Sequence, residues 1–178
     1  MRCIVLFACL MASPALADDR LVVSLPADVR EGFRAEMRDH MDSLDDLLMA
    51  LAAGDFAGAA DIAELRMDFG HRMSQTLLES GLTAEQVRAF NERRRAAGWQ
   101  PGQGAGAGGG GQGGGFGRYL PDEFRAMGMT MHEAAQVFAA SARAVDGPAD
   151  AATYAQVLGD LQFVTSTCRS CHATFRIE

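Results

Sequence analysis

The chain has 178 residues and a formal net charge of −7, and every one of its 16 basic residues is an arginine. An acidic balance of this size argues against nucleic acid or an anionic membrane surface as partner and suits a protein with a basic patch. Hydrophobic residues make up 48%; with clear periodicity, this excludes a disordered chain and leaves enough length for one domain with a real core.

The first 17 residues, MRCIVLFACLMASPALA, combine one early arginine, an apolar run from Cys3 to Met11 and a small-x-small close at Ala15-Leu16-Ala17. This is the pattern of a secretory signal peptide, so residues 18–178 are expected as the mature, periplasmic domain. The run is too short to span a bilayer, and Phe7, two residues before Cys9, does not suit a lipoprotein signal. No later segment reads as a membrane helix, so no membrane insertion is expected. Cleavage would remove Cys3 and Cys9 and leave only Cys168 and Cys171, too few for a disulfide framework.

The rest reads as helix. Pro26 favours a helix start, and Phe33, Met37, His40, Leu44, Leu47, Leu48 and Leu51 recur on one face until Gly54. A second helix from Asp55 carries Ile62, Leu65, Phe69, Met73 and Leu77 to Gly81, and Thr83-Ala84-Glu85-Gln86 is a capping-box start for a short extra helix. Its run Glu92-Arg93-Arg94-Arg95 reads as a solvated face or a docking patch. Residues 98–117 are mostly glycine, a composition that does not repay its ordering entropy and reads as a flexible loop. Its resemblance to a dinucleotide fingerprint lacks the flanking strand and helix and carries no weight. After Pro121 a third helix presents Phe124, Met127, Met131, Ala134, Phe138, Ser141 and Val145, and Asp146-Gly147-Pro148 ends it. The last helix presents Tyr154, Leu158, Leu161, Thr165, Cys168, His172 and Phe175. The expected fold is all-α: an antiparallel four-helix bundle with an extra short helix and the glycine-rich loop between helices 2 and 3.

The chemistry lies at the end of the chain. Cys168-Arg169-Ser170-Cys171-His172 is C-x-x-C-H, the attachment pattern of haem c. Two thiols at i and i+3 lie one turn apart on a helix and can add to two vinyl groups, and the imidazole that follows is the proximal iron ligand. A thioredoxin-like pair belongs at a helix start after a strand, and structural zinc needs four ligands, for which His40, His71 and His132 supply no second close pair. Cys168 and His172 share the stripe of the last helix, so the cofactor is expected inside the bundle.

These residues resemble the cytochrome c′ family, c-type cytochromes built as four-helix bundles. The terminal run matches its C-x-x-C-H-x-x-aromatic-Arg pattern at Cys168, Cys171, His172, Phe175 and Arg176, and Arg30, Met37 and His40 match its first-helix pattern. The resemblance implies one covalent haem c near the C-terminus, Arg176 close to its proximal side or propionates, a distal residue from the first helix, periplasmic redox partner proteins and, in some members, a homodimer. Arg34 stands at the family's distal position. It has no lone pair to offer iron at neutral pH, so Phe33 or Met37 would face the metal instead. Met37 is either the sixth iron ligand or core packing. Met41 and His40 are further distal candidates, and Phe33 would leave the iron open. Three functions follow: a single-electron carrier, a five-coordinate cytochrome that binds nitric oxide or carbon monoxide, and a non-haem metal-binding periplasmic protein. No paired carboxylates or activated nucleophile suggest an enzyme.

Overall fold

The computed structural model describes residues 18–68, 70–98 and 116–178; the expected signal segment 1–17, Phe69 and most of the glycine-rich stretch, 99–115, lie outside the described residues. The described chain is mostly helical, with almost no strand. Pro26, extended and without a side-chain cap, leads into α1, Ala27–Ala52. Gly54, at φ 74°, turns the chain, and the Asp55 carboxylate accepts from the Gly58 N–H at 2.8 Å to start α2, Phe56–Arg66.

The expected single helix from Asp55 to Gly81 is broken in two. Helix α2 stops at Arg66 and α3, His71–Glu79, begins after Gly70, which sits in the left-handed region at φ 81°. The interruption turns Asp68 inward until it is 1% exposed. Its carboxylate accepts from Arg95 Nη2 at 2.8 Å and from the Gln136 side chain. Tertiary hydrogen bonds thus replace the intrahelical ones, a trade that periodicity does not register.

Helix α4, Ala84–Ala96, starts on the expected capping box: Thr83 Oγ1 accepts from the Gln86 N–H at 3.3 Å and Gln86 Oε1 from the Thr83 N–H at 2.8 Å. Thr83→Ala should therefore lower stability by about 1 kcal/mol, read as a shift in the denaturant midpoint. The arginines of its last turn are not only a solvated face, since Arg95 reaches the buried Asp68. A 3-10 turn at Phe116–Tyr119 precedes α5, Asp122–Arg143, and α6, Ala151–Thr174, whose first turn is capped by Asp150.

Helix α2 packs on α1 and on α5, and α5 packs on α6. Small side chains allow the close approach in the middle: Ala59, Ala60 and Ala63 of α2 and Ala134, Ala135, Ala139 and Ala142 of α5 are all buried. Around them Leu47, Leu51, Phe56, Met67, Met131, Phe138, Val157, Leu161 and Val164 complete a first apolar cluster. A second cluster, Val23, Leu25, Phe33, Phe124 and Phe175, lies where α1 begins and α6 ends.

Helix α6 is rotated from its expected face. Val157, Leu161, Val164 and Thr167 point inward, whereas Leu158 is 45% exposed and His172 is exposed. The helix carries apolar side chains on more than one side (Phe163 is 56% exposed), so its own pattern does not set its rotation.

Two short strands close the ends. β1, Leu21–Val23, pairs in parallel with β2, Phe175–Ile177, and Leu25 and Glu178 extend the ladder by hydrogen bonds of 3.0 and 3.1 Å. The purely helical expectation missed this pairing, because three residues are too few to show alternation and the partners lie at opposite ends of the chain.

Candidate functional site

The last two turns of α6 carry both cysteines. Each is half-buried and free of any disulfide. Cys168 packs against the first apolar cluster and Cys171 against the second. Burial pushes both thiols up; Cys171, with Cys168 beside it, is pushed up to about 11. Both therefore stay protonated at neutral pH. That is the opposite of the lowered thiol of a redox-exchange pair.

His172 lies at the surface rather than on the buried stripe, and its backbone carbonyl accepts from Arg20 Nη1 at 3.2 Å. The strand pairing places this N-terminal arginine there. The same pairing buries Phe175 and holds Arg176, whose guanidinium lies 3.8 Å from Asp18 and 3.2 Å from Glu178. Its Nε–H is buried without an acceptor, as is that of Arg30.

The first-helix candidates separate clearly. Phe33 is at the centre of the second cluster, edge-on to Phe116 and Phe124 at centroid distances of 5.7 and 5.6 Å. Gly32 leaves room for the Phe116 ring, which a Cβ there would meet at 3.1 Å. Met37 is half-buried against the same cluster, together with Met127 and Cys171. Phe33, Met37, Cys171 and Phe175 are therefore brought to one end of the fold. Arg34 points outward and pairs with Glu31, and Met41 is 60% exposed, so neither faces this cluster.

His40 goes elsewhere. It meets His71 and His132, with ring centroids 4.9 and 5.7 Å away, and the latter two lie 5.6 Å apart. One ligand nitrogen from each of the three lies within 4.8 Å of the other two. The expectation that these histidines form no close group is thus wrong. The break at Gly70 makes the difference, because it sets His71 at the first position of α3, where its Nδ1 lies 3.0 Å from the Asp68 carbonyl. His132 Nδ1 lies 2.7 Å from the Met67 carbonyl. A carbonyl only accepts, so both rings carry their proton on Nδ1 and keep a lone pair on Nε2. The one signal in the sequence was that these three histidines all stand inside helical segments; nothing local says that they converge.

Burial, reinforced by the neighbouring imidazoles, lowers His40 to about 3, and burial also lowers His71 and His132. The unfolded chain accepts a proton on His40 near pH 6.5, where the folded chain does not. Stability from this group is complete above pH 6.5 and falls by about 1.4 kcal/mol per pH unit as pH drops toward 3. Urea midpoints between pH 7.5 and 4.5, taken with a chelator present, should show at least this slope, and His40→Leu should reduce it without abolishing it, because buried His71 and His132 contribute in the same direction.

Among the described residues no helix is long and apolar enough to cross a membrane. Compared with protein-family models, with curated proteins and with solved structures, the chain finds no match.

Proposed function

We propose that this chain is an exported c-type cytochrome, similar to the cytochrome c′ family, that carries single electrons on one covalent haem. The observation that carries the reading is Cys168-Arg169-Ser170-Cys171-His172: two thiols and an imidazole in five consecutive residues of one helix. The donor set suits the group. Both thiols are free, one turn apart, and each packed against an apolar cluster. When bound, haem supplies a one-electron iron couple whose potential depends on axial ligands and burial.

The side chains divide the remaining work. Cys168 and Cys171 would hold the macrocycle edge and His172 the iron. Phe33, Phe124 and Phe175 would exclude water. Arg30 and Arg176, each with a buried Nε–H in need of an acceptor, suit carboxylates such as propionates. Met37 would offer its thioether as second axial donor. In this reading α1, α2, α5 and α6 form an antiparallel four-helix bundle, with α3 and α4 inserted between its second and third members. Residues 1–17 direct export to the periplasm, and a redox protein with a basic patch is the partner.

One observation favours a second reading, an open iron that binds nitric oxide or carbon monoxide. Phe33 is only 7% exposed and lies deeper in the cluster than the half-buried Met37. Carbon monoxide added to the reduced protein decides between them. An electron carrier with Met37 on the iron leaves the spectrum unchanged, and Met37→Ala then creates a carbon monoxide complex. An immediate, complete change in the unaltered protein supports the open site. Matured protein without colour would sink both readings.

A further inference from the structure

We propose that His40, His71 and His132 bind one divalent transition-metal ion of the zinc and copper class, at a site separate from the C-x-x-C-H end. Three different helices, α1, α3 and α5, contribute one imidazole each. Their ligand nitrogens lie within 4.8 Å of one another. Tetrahedral bonds of about 2.0–2.1 Å put ligand nitrogens roughly 3.3 Å apart, so side-chain adjustments of about 1.5 Å close the site.

The surroundings point the same way. The Nδ1–H groups of His71 and His132 are held by the Asp68 and Met67 carbonyls. Such outer hydrogen bonds commonly fix the tautomer and ring orientation of metal-ligating histidines. The Nε2 atoms of His40 and His71 are buried and have no hydrogen-bond partner. A buried polar atom left unpaired destabilises the fold; an ion ligated at these nitrogens removes that cost. A further oxygen donor stands at Glu36, whose Oε1 lies 3.7 Å from His71 Nε2 and whose other oxygen is held by Arg72 Nε at 3.1 Å. Its negative charge offsets the Arg72 cation beside the site. An imidazole set of this kind suits zinc, copper or nickel and not calcium or magnesium, which take oxygen ligands.

The test is zinc uptake by the matured full-length protein after chelator treatment, with metal counted per polypeptide so that the result does not depend on haem. The expected result is one zinc per chain with a dissociation constant below about 1 µM and no retention of magnesium. His71→Ala and the bulkier His132→Gln should each weaken binding by about 100-fold or more, a loss larger than outer-shell changes produce, with helicity checked by circular dichroism. Uptake should persist in Cys168→Ser/Cys171→Ser, which removes the only competing thiols of the mature domain. No zinc retained by the unaltered protein at micromolar concentration overturns the site. So does uptake that is undiminished in both His71→Ala and His132→Gln, or that disappears with the cysteines.

Discussion

Cys168→Ser/Cys171→Ser, produced with haem-maturation machinery in an exporting host, should yield protein with no covalent haem. The unaltered chain should stain for haem on a denaturing gel and carry the added mass of one porphyrin. The effect would be all-or-none, because in this reading the thioether bonds would form only at these two sulfurs and serine hydroxyls would not replace them. Helicity should survive, since the two thiols are only half-buried at the edges of two apolar clusters whose other members are unchanged. His172→Ala separates attachment from ligation: haem should remain bound covalently while the proximal imidazole bands are lost. An unaltered protein of bare polypeptide mass would end the cytochrome reading, and the histidine cluster would then be the remaining candidate for metal chemistry.

The second large effect is on stability. Phe138 is fully buried on α5 within the cluster that joins α2, α5 and α6. Phe138→Ala should lower unfolding free energy by about 3–5 kcal/mol, the sum of lost transfer energy and the cavity left behind. A domain of this size has roughly 5–15 kcal/mol in all, so the variant should unfold at a much lower denaturant midpoint. Phe163→Ala is the control: its ring is 56% exposed, and the change should stay within about 0.5 kcal/mol. Equal losses at both positions would mean that α6 is rotated differently from the structure described.

Local signals carried much of the fold. Pro26, Asp55, the Thr83–Gln86 capping box and Pro121 mark helix starts within a few residues of where they occur. The stripe of α5 is nearly the expected one, with Phe124, Met131, Ala134 and Phe138 buried. On α1, Phe33 and Met37 reach the same cluster as Cys171, which the spacing of the first helix alone does not establish. The expected helix does not continue through Met67, Asp68 and Gly70, because buried Asp68 has partners on α4 and α5 that lie far along the chain.

The sequence by itself determined the helical character, most helix starts and the C-x-x-C-H run, because capping, 3.6-residue periodicity and thiol spacing depend on neighbours within about one turn. Only the tertiary structure decided the rotation of α6, the exposure of His172, the pairing of β1 with β2 and the meeting of His40, His71 and His132. Each depends on which side chains from distant segments fill the same space, and packing, not local propensity, makes that choice.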